Sequence, residues 1–396
     1  MKQKKTHSLA LGIAFVGFTT QFGGGFASGA QIFQYFINYG VWTLVMPLAA
    51  QALLSLFYWY GMRYAYRHQT YDYHSFSDHF YGKFRRLFSP LYELEYLVMV
   101  CMAPAVAFAT GGATLNTLTG LPYLICTLII GVFIFLITLF GTDLVRKCSS
   151  VLSVLIIAGL LLVLIPNMIA QRDTIFSSIR LLSDGKMAVG SSADGSFRSA
   201  FSSACVYGIF QLTAIGLMYQ HTRSIQDEKE IGRSMLYMFV VDSLIMELSV
   251  IGLLAVSHLE ELSNCSVPML LLVQTGIGSK LLTPVISVLI ILGSVSTGVN
   301  MIAGIVERTV NQLEKRQKNS DDRKHRLYTT GTAFLFTLLA FSIAQFGLIP
   351  LVKTGYSYIG YATLIVIVIP FLLHFLLDTI KHKNGKGEIG HETAKL

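Results

Sequence analysis

Ten stretches of mostly apolar residues, separated by shorter polar stretches, follow one another along the chain. About twenty apolar residues is the length that an α-helix needs to cross a bilayer. The stretches are 8–38, 41–66, 90–115, 121–140, 148–170, 199–219, 231–258, 281–310, 327–346 and 351–379. This pattern predicts an all-α membrane protein with ten transmembrane helices. The intervening 259–280 stretch contains only a short apolar run, too short to span.

The positions of the basic residues support this number of segments. Cytoplasmic loops carry an excess of Lys and Arg, so a correct count should place most of them on one side. With the N-terminus inside, 24 of the 30 Lys and Arg fall in predicted inner pieces. The six predicted outside are Arg172, Arg180, Lys186, Arg198, Lys280 and Lys353. We therefore predict a multi-pass protein of the cell (plasma or inner) membrane with both termini cytoplasmic.

Composition agrees with a membrane protein and narrows the function. The chain is 53% hydrophobic and 13% charged, whereas soluble domains carry about 25% charged residues. The net charge of +8 is explained by the inner loops rather than by nucleic-acid binding. The five cysteines show no disulfide or metal spacing, and no nucleotide-binding or hydrolase motif occurs. We expect no enzymatic activity, no cofactor and no obligate protein partner.

The first segment is interrupted near its middle by four glycines, Gly23, Gly24, Gly25 and Gly29. Glycine costs about 1 kcal/mol relative to alanine inside a helix. Freed peptide groups at membrane depth need partners or a polar cavity. The stretch therefore indicates a discontinuous helix whose peptide groups form a binding site. Taken alone, it fits equally well a glycine face against which a neighbouring helix packs.

The sixth segment carries a similar interruption, with Gly208, Gln211 and Thr213 where a lipid-facing helix would be apolar. Ten segments divide into two sets of five, and an odd-numbered repeat must be inverted in the membrane. Paired interruptions in two halves indicate a binding site near the midplane. The predicted units are a first five-helix repeat, 1–170, an extracellular loop, 171–198, a second five-helix repeat, 199–379, and a cytoplasmic tail, 380–396.

The run from Gly23 to Gly29, followed by Gln31, resembles the first helix of the YkvI-type bacterial membrane proteins. That group is related to the amino acid–polyamine–organocation transporters, which share the LeuT fold. The resemblance implies a LeuT-like 5+5 inverted repeat with discontinuous helices 1 and 6. One departure is that an acidic residue follows the last glycine in the YkvI motif, where this chain has Ala30 and Gln31. A proton carrier at that place is therefore not expected.

The eighth segment contains a second polar run, Gly-Ser-Val-Ser-Thr at 293–297. Na⁺ is a hard cation that prefers oxygen ligands. In sodium-coupled LeuT-fold transporters a similar pattern on this helix binds Na⁺, so the resemblance implies an ion site at Gly293, Ser296 and Thr297. Carbonyls of Thr19 and Phe22 would complete it. The alternative is that these hydroxyls only bond back to their own helix.

Acidic residues inside membrane segments are candidates for function. Asp242 and Glu247 of the seventh segment are about 140° apart around a helix, so they do not form one paired site. Glu247 is the predicted proton-relay residue. Glu93 and Glu95, near the inner end of the third segment, suggest a structural or gating role.

Together these features predict a secondary active transporter that works by alternating access, with Na⁺ as a coupling ion. Its partners would be the lipid bilayer and a small organic solute, an amino acid or a related amine. N–H groups at 24–28 would receive a carboxylate, and the carbonyls of Phe22 and Tyr207 an ammonium. The predicted substrate-binding residues are Phe22, Gly23, Gly24, Gly25, Phe26, Ala27, Ser28, Met102, Tyr207, Gly208, Phe210 and Gln211.

Several alternatives stay open at the level of sequence. The same fold could serve a proton-coupled or uncoupled transporter, or a membrane sensor or scaffold without transport. A channel would need a continuous polar stripe on several helices, and an intramembrane enzyme would need converging acids, bases or metal ligands. The polar positions concentrate instead at the two interruptions and in the eighth segment.

Overall fold

The structure is a computed structural model that describes residues 2–140, 142–186, 194–316 and 322–377. The predicted tail 380–396 and part of the predicted loop 171–198 lie outside the described residues. The described chain is helical and contains no strand. Its α-helices are α1 (Lys2–Gln21), α2 (Gly24–Ala27), α3 (Ala30–Tyr35), α4 (Met46–His68), α5 (Tyr73–Tyr81), α6 (Arg85–Thr119), α7 (Tyr123–Phe140), α8 (Thr142–Ala170), α9 (Arg172–Ser183), α10 (Phe197–Leu212), α11 (Glu228–Leu254), α12 (Pro268–Thr275), α13 (Ser279–Arg316), α14 (Asp322–Ala344), α15 (Leu348–Pro350) and α16 (Tyr356–Thr363).

Seven of the described helices are long and apolar enough to cross a membrane, or nine if two pairs bent by 80° each form one span. The bent pairs are Ile37–Leu44 with α4, and the second half of α8 with α9. The remaining predicted segment is the first, whose apolar helix Leu9–Gln21 is short because it ends at the glycines. An all-α, multi-pass membrane protein is thus confirmed, while the count of ten spans stays a prediction.

The first segment is discontinuous, as predicted. The N–H of Phe22 still donates to the Phe18 carbonyl (2.9 Å), and the next bond of the ladder runs from the Phe26 N–H to the Gly23 carbonyl (3.1 Å). Helix α2 has only four residues. Gly29 follows it with a φ of 81°, a left-handed conformation that glycine adopts without strain. The helix is therefore interrupted twice, at Gly23 and at Gly29, before α3 begins.

The sixth segment changes its helix type: its α-helical part ends at Leu212 and continues in 3₁₀ form, and Phe197–Leu217 together make one span. Two 3₁₀ turns follow, over Thr213–Leu217 and Tyr219–Ser224. The Thr213 hydroxyl donates to the Phe210 carbonyl (2.8 Å), a local bond of the kind that competes with helix continuation. The change comes after Gln211, so Gly208 lies within an unbroken helix.

Helices α6 and α13 pack along each other, and α2 contacts both. Helices α1 and α4 pack on α11, while α10 packs on α4 and α16. Side chains from these helices form two buried apolar clusters. The interruption of the first segment is therefore enclosed by other helices, which is the condition for unwound backbone at membrane depth.

The stretch between the seventh and eighth segments folds into a 3₁₀ turn, Glu260–Asn264, and the eight-residue helix α12. Neither is long enough to span, as predicted. The Met269 N–H donates to the Ser28 carbonyl (2.9 Å). This bond fixes α12 on the end of α2, next to the interruption of the first segment.

Cys265, between that turn and α12, tests the predicted orientation. In a variant that lacks the other four cysteines, an impermeant maleimide applied to intact cells should label it from outside. Burial raises the pKa of the Cys265 thiol, and the thiolate is the reactive form. Labelling should therefore be slow at neutral pH and faster at alkaline pH. Labelling that requires permeabilised cells would reverse the predicted topology.

Candidate substrate and ion site

A small cavity of about 30 Å³ lies at the interruption of the first segment. Its lining combines the backbone of residues 23–25 with Met99 and Ala103 of α6, Phe210 and Gln211 of α10, and Thr297 of α13. None of its lining side chains is charged. A cavity of this size holds about one or two water molecules. We call it the central cavity.

Peptide groups at the interruption are only partly free. The first N–H groups of a helix have no acceptor in their own helix, and residues 24 and 25 open α2. However, the N–H groups of Phe26 and Ala27 donate to the Gly23 carbonyl (3.1 and 3.0 Å), and that of Ser28 donates to the Gly24 carbonyl (2.9 Å). The prediction of free N–H groups over 24–28 is wrong for its last three residues, because α2 forms one complete turn.

The carbonyl groups also differ from expectation. Tyr207 lies inside α10, so its carbonyl belongs to the helical ladder and is not free. At the end of α1, the Gln21 carbonyl accepts a hydrogen bond from the Gln211 side-chain Nε2 (3.3 Å). The first and sixth segments are thus joined directly where each departs from regular helix.

The glycines also permit close packing against α13. A Cβ added to Gly23 would stand 2.8 Å from Thr297 Oγ1. A Cβ added to Gly24 would stand 2.2 Å from Ser294 Oγ and 3.0 Å from Ser294 Cα. Both sequence interpretations of the glycines therefore apply, since the same residues interrupt the helix and let its backbone approach a neighbour.

A larger cavity of about 670 Å³ reaches the interruption from the predicted inner end. The five predicted Na⁺-site residues all line it: Thr19, Phe22, Gly293, Ser296 and Thr297. The Thr297 hydroxyl donates to the Gly293 carbonyl (2.9 Å), which is the local bond of the alternative interpretation. A hydroxyl that donates in this way keeps lone pairs for a cation. We call this the inner cavity; its ion binding stays a prediction.

The central and inner cavities are neighbours that share three lining residues, Thr20, Thr297 and Met301. His221 and Glu307 line the inner cavity farther from the interruption. Burial lowers the pKa of His221, which favours the neutral ring at neutral pH. The lining of the inner cavity is therefore mixed, with His221 and Glu307 among its polar residues and the hydroxyls of Thr20 and Thr297 where it adjoins the central cavity.

A third cavity, of about 530 Å³, lies at the predicted outer end and includes Tyr35, Arg198 and Lys353 in its lining. Aromatic rings separate it from the central cavity. The Tyr35 ring lies 5.5 Å from that of Phe210, which stacks on Tyr356 at 4.5 Å. The Tyr35 hydroxyl donates to the Val352 carbonyl (2.8 Å), which holds this ring in place. In this conformation the interruption is closed from the outer cavity.

Three predicted substrate residues of the first segment lie in the core instead of in the central cavity. Phe26, Ala27 and Ser28 are each at most 2% exposed. Phe26 packs edge-on against Phe22 (4.1 Å between ring centroids). The Ser28 hydroxyl donates to the Gly25 carbonyl (2.9 Å). These residues shape the turn after the glycines, and the glycines themselves face the cavity.

Three further predicted residues point away from the central cavity. Met102 faces Gly355, where an added Cβ would meet its Cε at 2.3 Å. Gly208 faces α4, since an added Cβ would stand 3.0 Å from the Ala50 carbonyl oxygen. The Tyr207 ring packs against that of Phe36 (5.0 Å). The structure brings Phe210 and Gln211, two and three residues after Gly208, to the cavity.

Several cavity residues were not found from the sequence. They are Thr20, Gln21, Gln31, Met99, Ala103, Val106, Ala107, Met301 and Tyr356. Gln21 and Gln31 could have been identified from the sequence, because each has a polar amide side chain in an otherwise apolar segment. The others look like ordinary lipid-facing or core residues, and no pattern in the sequence marks the face on which they lie.

The acidic residues of the helices have different surroundings. Glu93 forms an ion pair with Arg308, whose guanidinium also lies over the Tyr73 ring (4.6 Å). Glu95 is buried and accepts a hydrogen bond from the Thr363 hydroxyl, while Thr213 Oγ1 lies 3.4 Å from the same carboxylate oxygen. Glu247 is half-buried, outside the linings of the central and inner cavities, with Oε1 unpartnered. Its proton-relay role stays a prediction.

Among known proteins, no family model and no curated protein sequence matches the chain. One similar solved structure is a Na⁺-coupled sialic acid symporter in a substrate-bound, outward-open state, with 12% identity and a TM-score of 0.49, covering 91% of this chain and 84% of that one. Another is an Eremococcus coleocola manganese transporter, with 14% identity and a TM-score of 0.43, covering 94% and 87%.

Similarity at these scores and identities carries no conclusion about substrate, ion or mechanism. The YkvI resemblance therefore stays a prediction. Among the residues that the structure describes, no group of three or more His, Cys, Asp or Glu side chains could hold a metal ion.

Proposed function

We propose that this protein is a secondary active transporter that moves a small organic solute across the cell membrane by alternating access. The observation that carries the proposal is the order of three cavities through the fold. The interruption of the first segment lies in the middle, next to the central cavity. The inner cavity adjoins it at Thr20, Thr297 and Met301, while aromatic rings close it from the outer cavity.

This order fits one state of a carrier better than a pore. A pore needs one continuous polar path, whereas here the aromatic layer of Tyr35, Phe210 and Tyr356 closes one side. The central cavity holds little more than water in this state, so substrate would bind in a conformation with a wider cavity. Movement of the short segments α2 and α3, which end in irregular backbone, would open it.

The proposed substrate is an amino acid or a related amine. Its carboxylate would bind the N–H groups at the start of α2, which have no acceptor in their own helix. Its ammonium would face the carbonyl of Phe22 and the aromatic rings of Phe210 and Tyr356. Because the lining of the central cavity holds no charged side chain, a zwitterion, which brings both charges, suits it better than an ion with one.

We also propose that Na⁺ binds in the inner cavity, between the end of α1 and α13, which both line it. The hydroxyls of Ser296 and Thr297 and the carbonyls of Thr19 and Phe22 supply oxygen ligands of the kind that hard cations prefer. These residues surround one end of the inner cavity. An ion held between α1 and α13 would link its own release to their separation, which is how ion binding favours one conformation.

Counterflow in proteoliposomes tests the proposed transport. Vesicles that contain the purified protein are loaded with one unlabelled amino acid or amine and diluted into a trace of the same labelled compound, with Na⁺ on both sides. A carrier exchanges the two and accumulates label transiently, whereas a channel only equilibrates it. We expect transient accumulation for at least one compound of a panel of amino acids and amines.

Protein-free vesicles serve as the control for leak. Equilibration without accumulation for every compound would favour a channel. No protein-dependent flux for any compound would favour a sensor or scaffold on this fold.

A further inference from the structure

Asp242 of α11 is fully buried, with 0% of its surface exposed. Neither of its carboxylate oxygens has a hydrogen-bond partner. Transfer of an ionised carboxylate into such surroundings costs many kcal/mol unless a cation or several donors compensate it. A residue of this kind inside a membrane segment is expected to have a function.

The surroundings of Asp242 are polar but contain no cation. The side chain of Gln21, which is the last residue of α1, interacts with Asp242. Gln21 directs Nε2 to the Met238 sulfur (3.8 Å), and its Oε1 is buried without a partner. The Gln21 amide is the polar group beside the carboxylate, and Oε1 of that amide has no donor. Protonation of Asp242 would remove the uncompensated charge and supply that donor, because a neutral carboxyl group can donate to Gln21 Oε1.

The titratable groups that interact with Asp242 agree with this. Tyr58 of α4 and Tyr207 of α10 interact electrostatically with Asp242. No Lys, Arg or His of the described residues contributes to its electrostatics. Both tyrosines are fully buried and neutral, so neither compensates a carboxylate. Glu247, five residues farther along the same helix, lies about 140° away around its axis.

Asp242 is also connected to the interruption of the first segment. Tyr58 interacts with the hydroxyl of Thr20 and approaches the Gln211 carbonyl (3.5 Å). Thr20 lines both the central and the inner cavity. A movement of α1 relative to α11 would carry Gln21 with it and would give water from the inner cavity a path along Thr20 and Tyr58.

We propose that Asp242 is a proton-binding site that is protonated in this conformation and exchanges its proton with water when the end of α1 moves. In the release step, the carboxyl O–H bond breaks and the proton passes to water; the reverse step restores the neutral acid. This inference rests on the proposed transport for its coupling role, and proton binding itself can be measured without transport.

Infrared difference spectroscopy of the purified full chain tests proton binding. A neutral carboxylic acid gives a carbonyl band distinct from those of carboxylates and amides, and this band disappears when the acid ionises. We expect a carboxylic acid band in the wild type at neutral pH that is lost on alkalinisation. Asp242→Asn, which keeps the size and a donor, should lack this band, while Glu247→Gln should retain it. Identical wild-type and Asp242→Asn spectra, or loss of the band in Glu247→Gln instead, would overturn the assignment.

The coupling role is tested in proteoliposomes. A pH gradient of one unit corresponds to a factor of about ten in accumulation for each coupled proton. The gradient should change accumulation by the wild type, and Asp242→Asn should keep counterflow but lose this response. An equal response in the two proteins would overturn the coupling role. If the wild type shows no counterflow at all, the proposed transport fails, and the infrared result still decides whether Asp242 binds the proton.

Discussion

Gly24→Ala should abolish transport while the protein remains folded in the membrane. By helix propensity alone, replacement of glycine by alanine would stabilise α2 by about 1 kcal/mol. The packing predicts the opposite sign, because the added Cβ would stand 2.2 Å from Ser294 Oγ and 3.0 Å from Ser294 Cα. Extra atoms in a packed interior typically cost about 1–3 kcal/mol. The strain would separate α2 from α13, which disturbs the central cavity and the proposed ion site together.

Counterflow and thermal unfolding of the purified variant measure the two effects. Gly12→Ala is the matched control, since it makes the same change in α1, where an added Cβ meets nothing within 4 Å. It should keep wild-type transport. Adding Ser294→Gly to Gly24→Ala removes the closest contact and should restore part of the activity. Full transport by Gly24→Ala alone would show that the close approach of α2 to α13 is not needed.

Hydrophobic patterning predicts where helices lie but not where they end. Helix α6 begins at Arg85, five residues before the apolar stretch 90–115, and continues through Pro90, although a proline inside a helix cannot donate the hydrogen bond to the residue four positions earlier. Helix α13 likewise runs on to Arg316, beyond the predicted end at 310. Polar turns outside the bilayer can continue a helix, since hydropathy reports burial in lipid and not backbone hydrogen bonding.

The same limit explains which site residues could be found. The glycines could be predicted to interrupt a helix because their effect on the backbone is local. Gly293, Ser296 and Thr297 could be grouped because three and four residues along a helix share a face. Met102 was placed in the site and Met99 was missed, because α6 is apolar on nearly all sides. The hydrophobic periodicity then does not show which face of the helix meets the cavity.

The interior acids show a further limit. Sequence alone favours Glu247 as the proton-relay residue, although Asp242 lies in the same apolar segment. The choice between them depends on which residue faces Gln21 and lacks a partner. That is a property of packing between α1 and α11, and two residues 140° apart on one helix cannot be ranked without it.

Ser296→Ala combined with Thr297→Ala should raise the Na⁺ concentration needed for half-maximal transport by at least about tenfold, which corresponds to 1.4 kcal/mol. A dehydrated Na⁺ must recover its water ligands from protein oxygens, and these two hydroxyls would supply part of the set. Both residues line the inner cavity beside Thr19 and Phe22. The affinity for substrate at saturating Na⁺ should change much less, because the proposed substrate ligands are mainly peptide groups.

A matched control removes two hydroxyls from the same helix away from the cavities. Ser287 and Thr309 of α13 bond back to the carbonyls of Thr283 and Ile305 (2.6 and 2.8 Å), as Thr297 does to Gly293. Ser287→Ala with Thr309→Ala should therefore reproduce any loss of local helix stability but leave the Na⁺ dependence unchanged. Na⁺ titration of initial transport rates compares the two variants with the wild type.

If wild-type transport is indifferent to replacement of Na⁺ by K⁺ or choline at fixed pH, the sodium site is refuted. Proton exchange at Asp242 would then remain as the coupling step, because a carrier that accumulates solute must draw on some ion gradient.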